Sequence, residues 1–383
     1  MSETDTAALE SHAQHCIATG QFEEAKSICS RLCRFDADNE EFWLMLAVAQ
    51  GESGALDDAL ASATKATKLD PKYVEAHLTI AHMLQRLGRN EEAMAAAKKA
   101  VELDDECAEA WLFMSALGGY IQGPVDAELW AKKAISLQPD NPDAYVNLAN
   151  AQHEQDKYNE AESNYQKALK LQPKSPESQI GLVRAIIAQQ RFAEAAKLAE
   201  QLLRHNPADL DGQNALGVCY QNLGKPEEAI SIFERVIDGH PEYKAAYIPI
   251  ARLYAQQGDL TMAAELLRRA KERFPGAMDI LEALAEVYQE HGLFDAAFNC
   301  YGDILQLHPD NSDARFNRAS LLADAGKLEV ALDELQALQN ESSDEKRFLV
   351  AKASVLEKLG DYEAAHNLVI PLTRNNKVSA AAA

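Results

Sequence analysis

The chain has 383 residues, of which 60 are acidic and 37 are lysine or arginine, so its formal net charge is −23. Nucleic acids and anionic membrane surfaces need a basic footprint, so this charge argues against both as partners and favours a basic protein, or serves solubility alone. The acidic start from Met1 to Asp5 is unlike a secretory signal, and no run of about 18 apolar residues predicts a membrane-spanning helix. Six cysteines without paired spacing fit a reducing compartment, so we predict a cytoplasmic protein.

An alanine recurs every 34 residues along almost the whole chain. The series is Ala25, Ala59, Ala93, Ala127, Ala161, Ala195, Ala229, Ala263, Ala297, Ala331 and Ala365. A glycine stands five residues before eight of these alanines, Gln122, Asp156 and Gln190 replace it in the other three, and prolines follow the same period. A fixed period of about 20 to 50 residues predicts a repeat architecture.

Each repeat predicts two helices, A and B, in the same order. With the proline at position 32, the first repeat begins at Thr6 and the last at Lys346. Helix A carries a small residue at position 8, glycine at position 15 allows a sharp turn, and helix B carries the recurrent alanine at position 20. The proline then ends helix B. In the sixth repeat, Ser175, Pro176 and Glu177 add a cap, a first-turn proline and a first-turn acid to the start of helix A.

This pattern, from Thr6 to about Leu372, resembles the tetratricopeptide repeat family. The resemblance implies an all-α chain whose antiparallel helix pairs wind into a right-handed superhelical solenoid, with helix A lining a concave groove that binds peptides or protein segments. It divides the chain into a polar N-terminal tail (1–5), eleven tandem repeats (6–372) and a polar, alanine-rich tail (373–383), for which an artificial origin is one interpretation. A solenoid needs polar caps, so either the eleventh repeat is itself a cap or the natural chain continues past residue 383.

Two repeats depart from the pattern. In the fourth repeat, Gly118 replaces a large residue on helix A, and we expect the helix to end early and leave Tyr120 exposed. On that basis Gly118→Ala should raise the melting temperature. In the eighth repeat, Pro249 lies inside helix A and predicts a kink.

The groove-facing positions of helix A supply the candidate binding residues. The resemblance places positions 2, 5, 6, 9, 12 and 13 there, and position 5 is apolar from Leu44 to Ile180. An apolar floor flanked by amide and guanidinium groups suits an extended peptide. Alternatively, position 5 packs against the neighbouring repeat. The predicted peptide-binding residues are Leu112, Asn147, Asn150, Arg184, Asn214 and Arg252.

Two binding patterns of the family are missing. Members that clamp a C-terminal carboxylate carry lysine at position 5, and no repeat of this chain has lysine there. The arrays of O-linked GlcNAc transferases carry an asparagine ladder, whereas position 6 is asparagine only at Asn147 and Asn317.

Acidic residues recur at position 2 of helix A. We interpret them as first-turn carboxylates that stabilise the helix dipole, with recognition of a basic ligand as the alternative. They are Glu41, Glu75, Glu109, Asp143, Glu177, Asp211, Asp279 and Asp313.

Residues with metal-ligand chemistry crowd the first repeat. His12 and Cys16 are four residues apart on helix A, and Cys29 and Cys33 have the same spacing on helix B. Because His12, Cys16 and Cys29 occupy core positions, packing explains them better than a metal site or a disulfide. The chain has no phosphate-binding, zinc-protease or nucleophile-elbow motif. We predict no cofactor, no metal and no catalytic residue.

These observations predict a non-catalytic, cytoplasmic scaffold or adaptor that holds a protein or peptide segment in its groove. Similar arrays precede catalytic domains in some transferases, so one alternative is the N-terminal, substrate-presenting region of a larger glycosyltransferase or sulfotransferase. The other is a self-assembling protein that forms homo-oligomers through an uncapped end. The expected partner is a protein or peptide, with a basic one favoured, and neither nucleic acid binding nor membrane insertion is expected.

Overall fold

The structure is a computed structural model that describes residues 3–339 and 345–369. Every regular element in these ranges is helical, so the predicted all-α class is confirmed. A 3₁₀ turn, Lys244–Ala246, precedes α15, and a last helix, α22, covers residues 362–369. The other helices are α1 (Glu3–Ala18), α2 (Phe22–Phe35), α3 (Glu40–Glu52), α4 (Leu56–Leu69), α5 (Val74–Arg86), α6 (Asn90–Leu103), α7 (Ala108–Ile121), α8 (Pro124–Leu137), α9 (Pro142–His153), α10 (Tyr158–Leu171), α11 (Pro176–Ala188), α12 (Phe192–His205), α13 (Leu210–Asn222), α14 (Pro226–Gly239), α15 (Tyr247–Gln256), α16 (Leu260–Arg273), α17 (Met278–Glu290), α18 (Phe294–Leu307), α19 (Ser312–Asp324), α20 (Leu328–Gln339) and α21 (Glu345–Leu359).

The chain divides into two compact units, Met1–Leu198 and Ala199–Ala383, called the first and second unit below. Odd-numbered helices are the A helices of successive repeats and even-numbered helices are the B helices. Within the first unit the A helices α7, α9 and α11 also contact one another across repeats. They therefore share a surface, called the A-helix face below. Helix α1 already begins at Glu3, inside the predicted N-terminal tail, and the predicted C-terminal tail and the end of the last repeat at Leu372 lie outside the described residues.

The recurrent alanines form the closest contacts of the core. All eleven, from Ala25 to Ala365, are at most 2% exposed. A larger side chain at these positions would push the two helices of a repeat apart, which explains why the residue type follows the period. Large side chains fill the remaining space, and Leu32, Phe233 and Ile304 are completely buried.

The turns between helices A and B confirm the glycine prediction. Eight glycines have φ between 72° and 88°, a conformation that other residues rarely adopt: Gly20, Gly54, Gly88, Gly224, Gly258, Gly292, Gly326 and Gly360. Asp156 and Gln190 take the same turn at φ 60° without being glycine. In the fourth repeat the positive φ falls one residue later, at Gly123.

The expectation that helix A of the fourth repeat ends early is wrong. Helix α7 continues through Gly118 to Ile121, and the indole of Trp130 lies where a side chain of residue 118 would be. A Cβ at that position would overlap the ring, so the glycine makes room for a core tryptophan. Tyr120 is 88% exposed, as expected, although it belongs to the helix.

Pro249 was expected inside helix A, where it would kink the helix, but the structure places it at the start of an α-helix. Residues 244–246 form the 3₁₀ turn, and α15 begins only at Tyr247, so Pro249 lies in its first turn. Proline is tolerated there because first-turn N–H groups have no partner within the helix. The α-helix therefore begins late, with Pro249 as its third residue.

In the described ranges 3–339 and 345–369, none of the helices is long and apolar enough to cross a membrane. All six cysteines are free thiols.

Candidate functional site

The A-helix face of the first unit contains a pocket with a volume of about 310 Å³. Two predicted binding residues, Asn150 and Arg184, both line it. The other polar side chains that line it are Tyr120, His153, Glu154, Tyr165 and Glu177. The structure therefore gathers an amide, a guanidinium, an imidazole, two carboxylates and two phenols from α7, α9 and the residue after it, α10 and α11.

Tyr165 connects the core to this pocket. It comes from α10 and is 3% exposed, and its ring lies against Gly181 of α11, where a Cβ would overlap it. The hydroxyl donates a hydrogen bond to Oδ1 of Asn150, with 2.5 Å between the two oxygens. A side chain at position 181 would close this route, so Gly181 allows a core tyrosine to place a polar group on the A-helix face.

Burial keeps this phenol neutral. Burial raises the pKa of Tyr165 well above its usual value, the Glu177 and Glu154 carboxylates raise it further, and Arg184 lowers it. The hydroxyl therefore stays protonated and orients the Asn150 amide through their hydrogen bond. The exposed carboxylates and the exposed ring of Tyr120 remain at the mouth of the pocket.

Asn147 lies outside the pocket and connects two helices. Its Nδ2 donates to the carbonyl oxygen of Leu112 at 3.3 Å and to Oγ of Ser115 at 2.9 Å. These bonds tie α9 to α7, so the amide nitrogen of Asn147 is engaged in the fold. Leu112 is half-buried.

The apolar row at position 5 lies mostly in the core. Leu78, Val146 and Ile180 are 4%, 2% and 9% exposed. This burial favours the alternative given above, that position 5 packs between repeats, although Ile180 also lines the pocket.

The two predicted residues in the second unit do not line this pocket. Arg252 lines a depression of about 400 Å³ together with Ile248, Glu286 and Glu290. Asn214 on α13 does not line it, and its buried Oδ1 has no hydrogen-bond partner among the described residues.

Sequence reasoning did not assign Tyr120, Glu154 or Tyr165 to the site. The repeat register contained a signal for two of them, because Tyr120 and Glu154 occupy position 13, which the resemblance places on the groove. Tyr165 occupies position 24, a core position, and reaches the surface only because the next repeat carries glycine at position 6. Glu177 was interpreted as a first-turn carboxylate, and it also faces the pocket.

Profiles of the tetratricopeptide repeat match most of the chain. One matches residues 52–117, 152–219 and 222–287, which together exceed half of the sequence. Two further profiles of the same description match residues 130–163 and 282–346.

Curated relatives match only in part. The chain is 28% identical to BBSome complex member BBS4 from Bos taurus over 117 residues, which are 30% of this chain and 22% of that protein. It is 28% identical to Protein O-mannosyl-transferase TMTC1 from Homo sapiens over 154 residues, 39% of this chain and 18% of that protein. The chain spans less than a third of the length of the curated relatives it matches.

The crystal structure of yeast Tom70 is similar to 96% of this chain and 91% of its own, with a TM-score of 0.53 and 15% sequence identity. At this identity the likeness concerns the fold alone. Together with the profile matches, the glycine turns and the buried alanine series, it shows that the chain belongs to the tetratricopeptide repeat family, whose helical arrays are scaffolds for protein interactions.

Proposed function

We propose that this chain is a non-catalytic adaptor that holds a protein segment in a groove on the A-helix face of the first unit. The observation that carries the proposal is the pocket in which Asn150, Glu154, Tyr165 and Glu177 converge beside the exposed ring of Tyr120. No enzymatic activity is assigned to the array, and the cytoplasm remains its proposed location, in line with six free thiols.

The chemistry of the pocket suits a basic side chain on an extended segment. Glu154 and Glu177 offer two exposed carboxylates, and the face of Tyr120 can stack on a guanidinium or ammonium group. The amide of Asn150 can bond the peptide backbone, while Ile180 contributes apolar floor. A net charge of −23 would speed the approach of a basic partner.

Arg184 adds a positive charge to the same lining, so the pocket carries one cation beside two carboxylates. The carboxylates outnumber the cation, which favours a basic partner segment.

The proposal is tested with an immobilised library of random peptides and the full-length chain. The wild type should enrich peptides with lysine or arginine, and the double variant Glu154→Gln/Glu177→Gln should bind them about tenfold or more weakly, because charge-assisted bonds are lost. Asn150→Ala should weaken the same peptides without changing their charge preference.

A matched control separates the pocket from the overall charge. Glu91→Gln/Glu160→Gln removes two exposed carboxylates of the same unit from the first turns of α6 and α10, outside the pocket. Its binding should stay close to that of the wild type at about 0.15 M salt, where exposed charges are screened beyond roughly 8 Å. Equal losses in both double variants would contradict a local site and leave only long-range attraction.

A second function is favoured by one observation, the match to human Protein O-mannosyl-transferase TMTC1. In this proposal the array presents substrates to a transferase carried by further sequence of the same protein. An antibody raised against this chain would distinguish the two: a band much larger than 42.1 kDa in source cells supports the transferase, and a band near that mass supports the free-standing adaptor.

A further inference from the structure

The first repeat brings three metal-type ligand atoms together. His12 and Cys16 lie one turn apart on α1, and Glu24 lies in the first turn of α2. A ring nitrogen of His12, the Sγ atom of Cys16 and a carboxylate oxygen of Glu24 all lie within 4.8 Å of one another. The sequence shows that histidines and cysteines cluster in the first repeat. Glu24 comes close to them only because α1 packs against α2.

The spacing of His12 and Glu24 resembles one edge of a tetrahedral coordination shell. Zinc bonds of about 2.0 to 2.3 Å place neighbouring ligand atoms about 3.4 to 3.6 Å apart. Nε2 of His12 is 3.6 Å from Oε1 of Glu24. Sγ of Cys16 is 3.6 Å from the side-chain oxygen Oε1 of Gln21. Gln21 therefore offers a donor for a fourth position, which a water molecule could also fill.

The cluster has a buried base and an open mouth. Cys16 is completely buried against Ala13, Ala25 and Cys29, whereas the side chains of His12 and Glu24 are 50% and 54% exposed. An ion can thus approach from solvent, and the two exposed side chains can rotate to close the remaining distance to the sulfur.

The other two cysteines of the repeat do not take part. Cys16 is the cysteine whose sulfur groups with the His12 and Glu24 ligand atoms within 4.8 Å. Cys29 and Cys33 belong to the apolar core without joining that group, in line with the packing interpretation.

The pairwise contacts alone do not explain why these three residues lie together. The contact between His12 and Glu24 is half exposed and stabilises the fold little by itself. It gives no reason for a cysteine to lie beneath it. A ligand set that combines sulfur, imidazole and carboxylate suits a borderline-soft ion and excludes calcium and magnesium, which prefer oxygen alone.

We propose that His12, Cys16 and Glu24 bind a divalent transition-metal ion of the zinc type that links α1 to α2. The site is separate from the pocket on the A-helix face and independent of the proposed peptide binding. It also revises the sequence-based preference for packing at Cys16, because a third ligand comes from the second helix.

The test uses Co²⁺ as a spectroscopic probe and Zn²⁺ in competition with a chromophoric chelator, both with the full-length chain. One equivalent of Co²⁺ should produce the thiolate-to-metal absorption of a sulfur-ligated ion, and one equivalent of Zn²⁺ should displace it. His12→Ala and Glu24→Gln should each weaken Zn²⁺ binding about tenfold or more, since each removes a ligand bond. Cys16→Ser should abolish the thiolate absorption.

His15→Ala is the matched control, because His15 is an exposed histidine of the same helix outside the cluster. Its affinity should equal that of the wild type. If Cys16→Ser fails to fold, the two exposed variants still decide the question, with circular dichroism as the check on folding. Absence of the thiolate absorption, or Zn²⁺ binding that all three ligand variants leave unchanged, would overturn the proposal.

Discussion

Tyr165 in the first unit and Phe233 in the second occupy the same repeat position, 24, and each packs against a glycine of an A helix. The ring of Phe233 lies on Gly217, at position 8 of its own repeat, and is completely buried. The ring of Tyr165 lies instead on Gly181, at position 6 of the next repeat. The same pairing of ring and glycine therefore serves packing alone in the second unit, and in the first unit it also delivers a hydroxyl to the A-helix face.

The largest effect should come from removing the purely structural ring. Phe233→Ala deletes a completely buried side chain and leaves a cavity, so the free energy of unfolding should fall by about 3 to 5 kcal/mol. Urea denaturation followed by far-UV circular dichroism measures the loss. At urea concentrations below the unfolding transition, the variant should still bind peptides through the first unit. Loss of binding under these conditions would contradict the view that Phe233 serves packing alone.

The next effect should come from filling the glycine contacts. Gly217→Ala, Gly181→Ala and Gly118→Ala each place a methyl group against an aromatic ring, a strain of about 1 to 3 kcal/mol. The higher helix propensity of alanine offsets about 1 kcal/mol, and we expect a net loss of stability. For Gly118→Ala this reverses the expectation from sequence.

A helical glycine without close neighbours provides the control for these variants. Apart from its chain neighbours and the backbone of its own helix, no atom of the described residues lies within 4 Å of the position that a Cβ of Gly302 would take in α18. Gly302→Ala should therefore stabilise the chain by up to about 1 kcal/mol. A loss of stability there as large as at Gly181 would show that ring contact is not the cause.

A smaller effect should follow when Tyr165 is made to resemble Phe233. Tyr165→Phe keeps the ring on Gly181 and removes the hydrogen bond to Asn150, so stability should fall by about 0.5 to 1.5 kcal/mol. Affinity for the selected peptides should fall with it, because the Asn150 amide loses the bond that orients it. Unchanged affinity together with reduced stability would mean that the hydroxyl stabilises the fold and does not contribute to peptide binding.

The smallest effect concerns the turns, where the two units also differ. The second unit has glycine at the turn in each of its described repeats, whereas the first unit places Gln190 there at φ 60°. Gln190→Gly should relieve this conformation and stabilise the chain by up to about 1 kcal/mol. Gly224→Ala should do the opposite. The melting temperatures of the two variants check this, and shifts in the same direction would contradict it.

Local signals in the sequence sufficed for the repeated features of the fold. The alanine period, the glycine turns and the Ser175 cap depend on contacts within one repeat, and all three are confirmed. Pro249 and Gly118 were interpreted wrongly for different reasons. A late helix start relieves the proline, and the partner of Gly118, Trp130, comes from the next helix.

The candidate site was harder to predict because it depends on contacts between repeats. Asn150 and Arg184 were predicted from the register of helix A, and the structure brings both to one pocket. Asn147 shares that register, but its amide nitrogen is bonded to the neighbouring α7. Tyr165 could not be assigned from its own position, because its access to the surface is decided by the absence of a side chain at residue 181.

The three tryptophans of the chain, Trp43, Trp111 and Trp130, all lie in the first unit. The indole N–H groups of Trp43 and Trp111 donate to the carbonyl oxygens of Ala37 and Asp105, each at 2.9 Å, and Trp130 is buried against Gly118. Intrinsic fluorescence excited at the indole band therefore reports on one half of the molecule, while far-UV circular dichroism reports on both. When denaturation is followed with both signals in parallel, the tryptophans act as an intrinsic label of the first unit. A difference between the two curves then measures how independently the two units unfold.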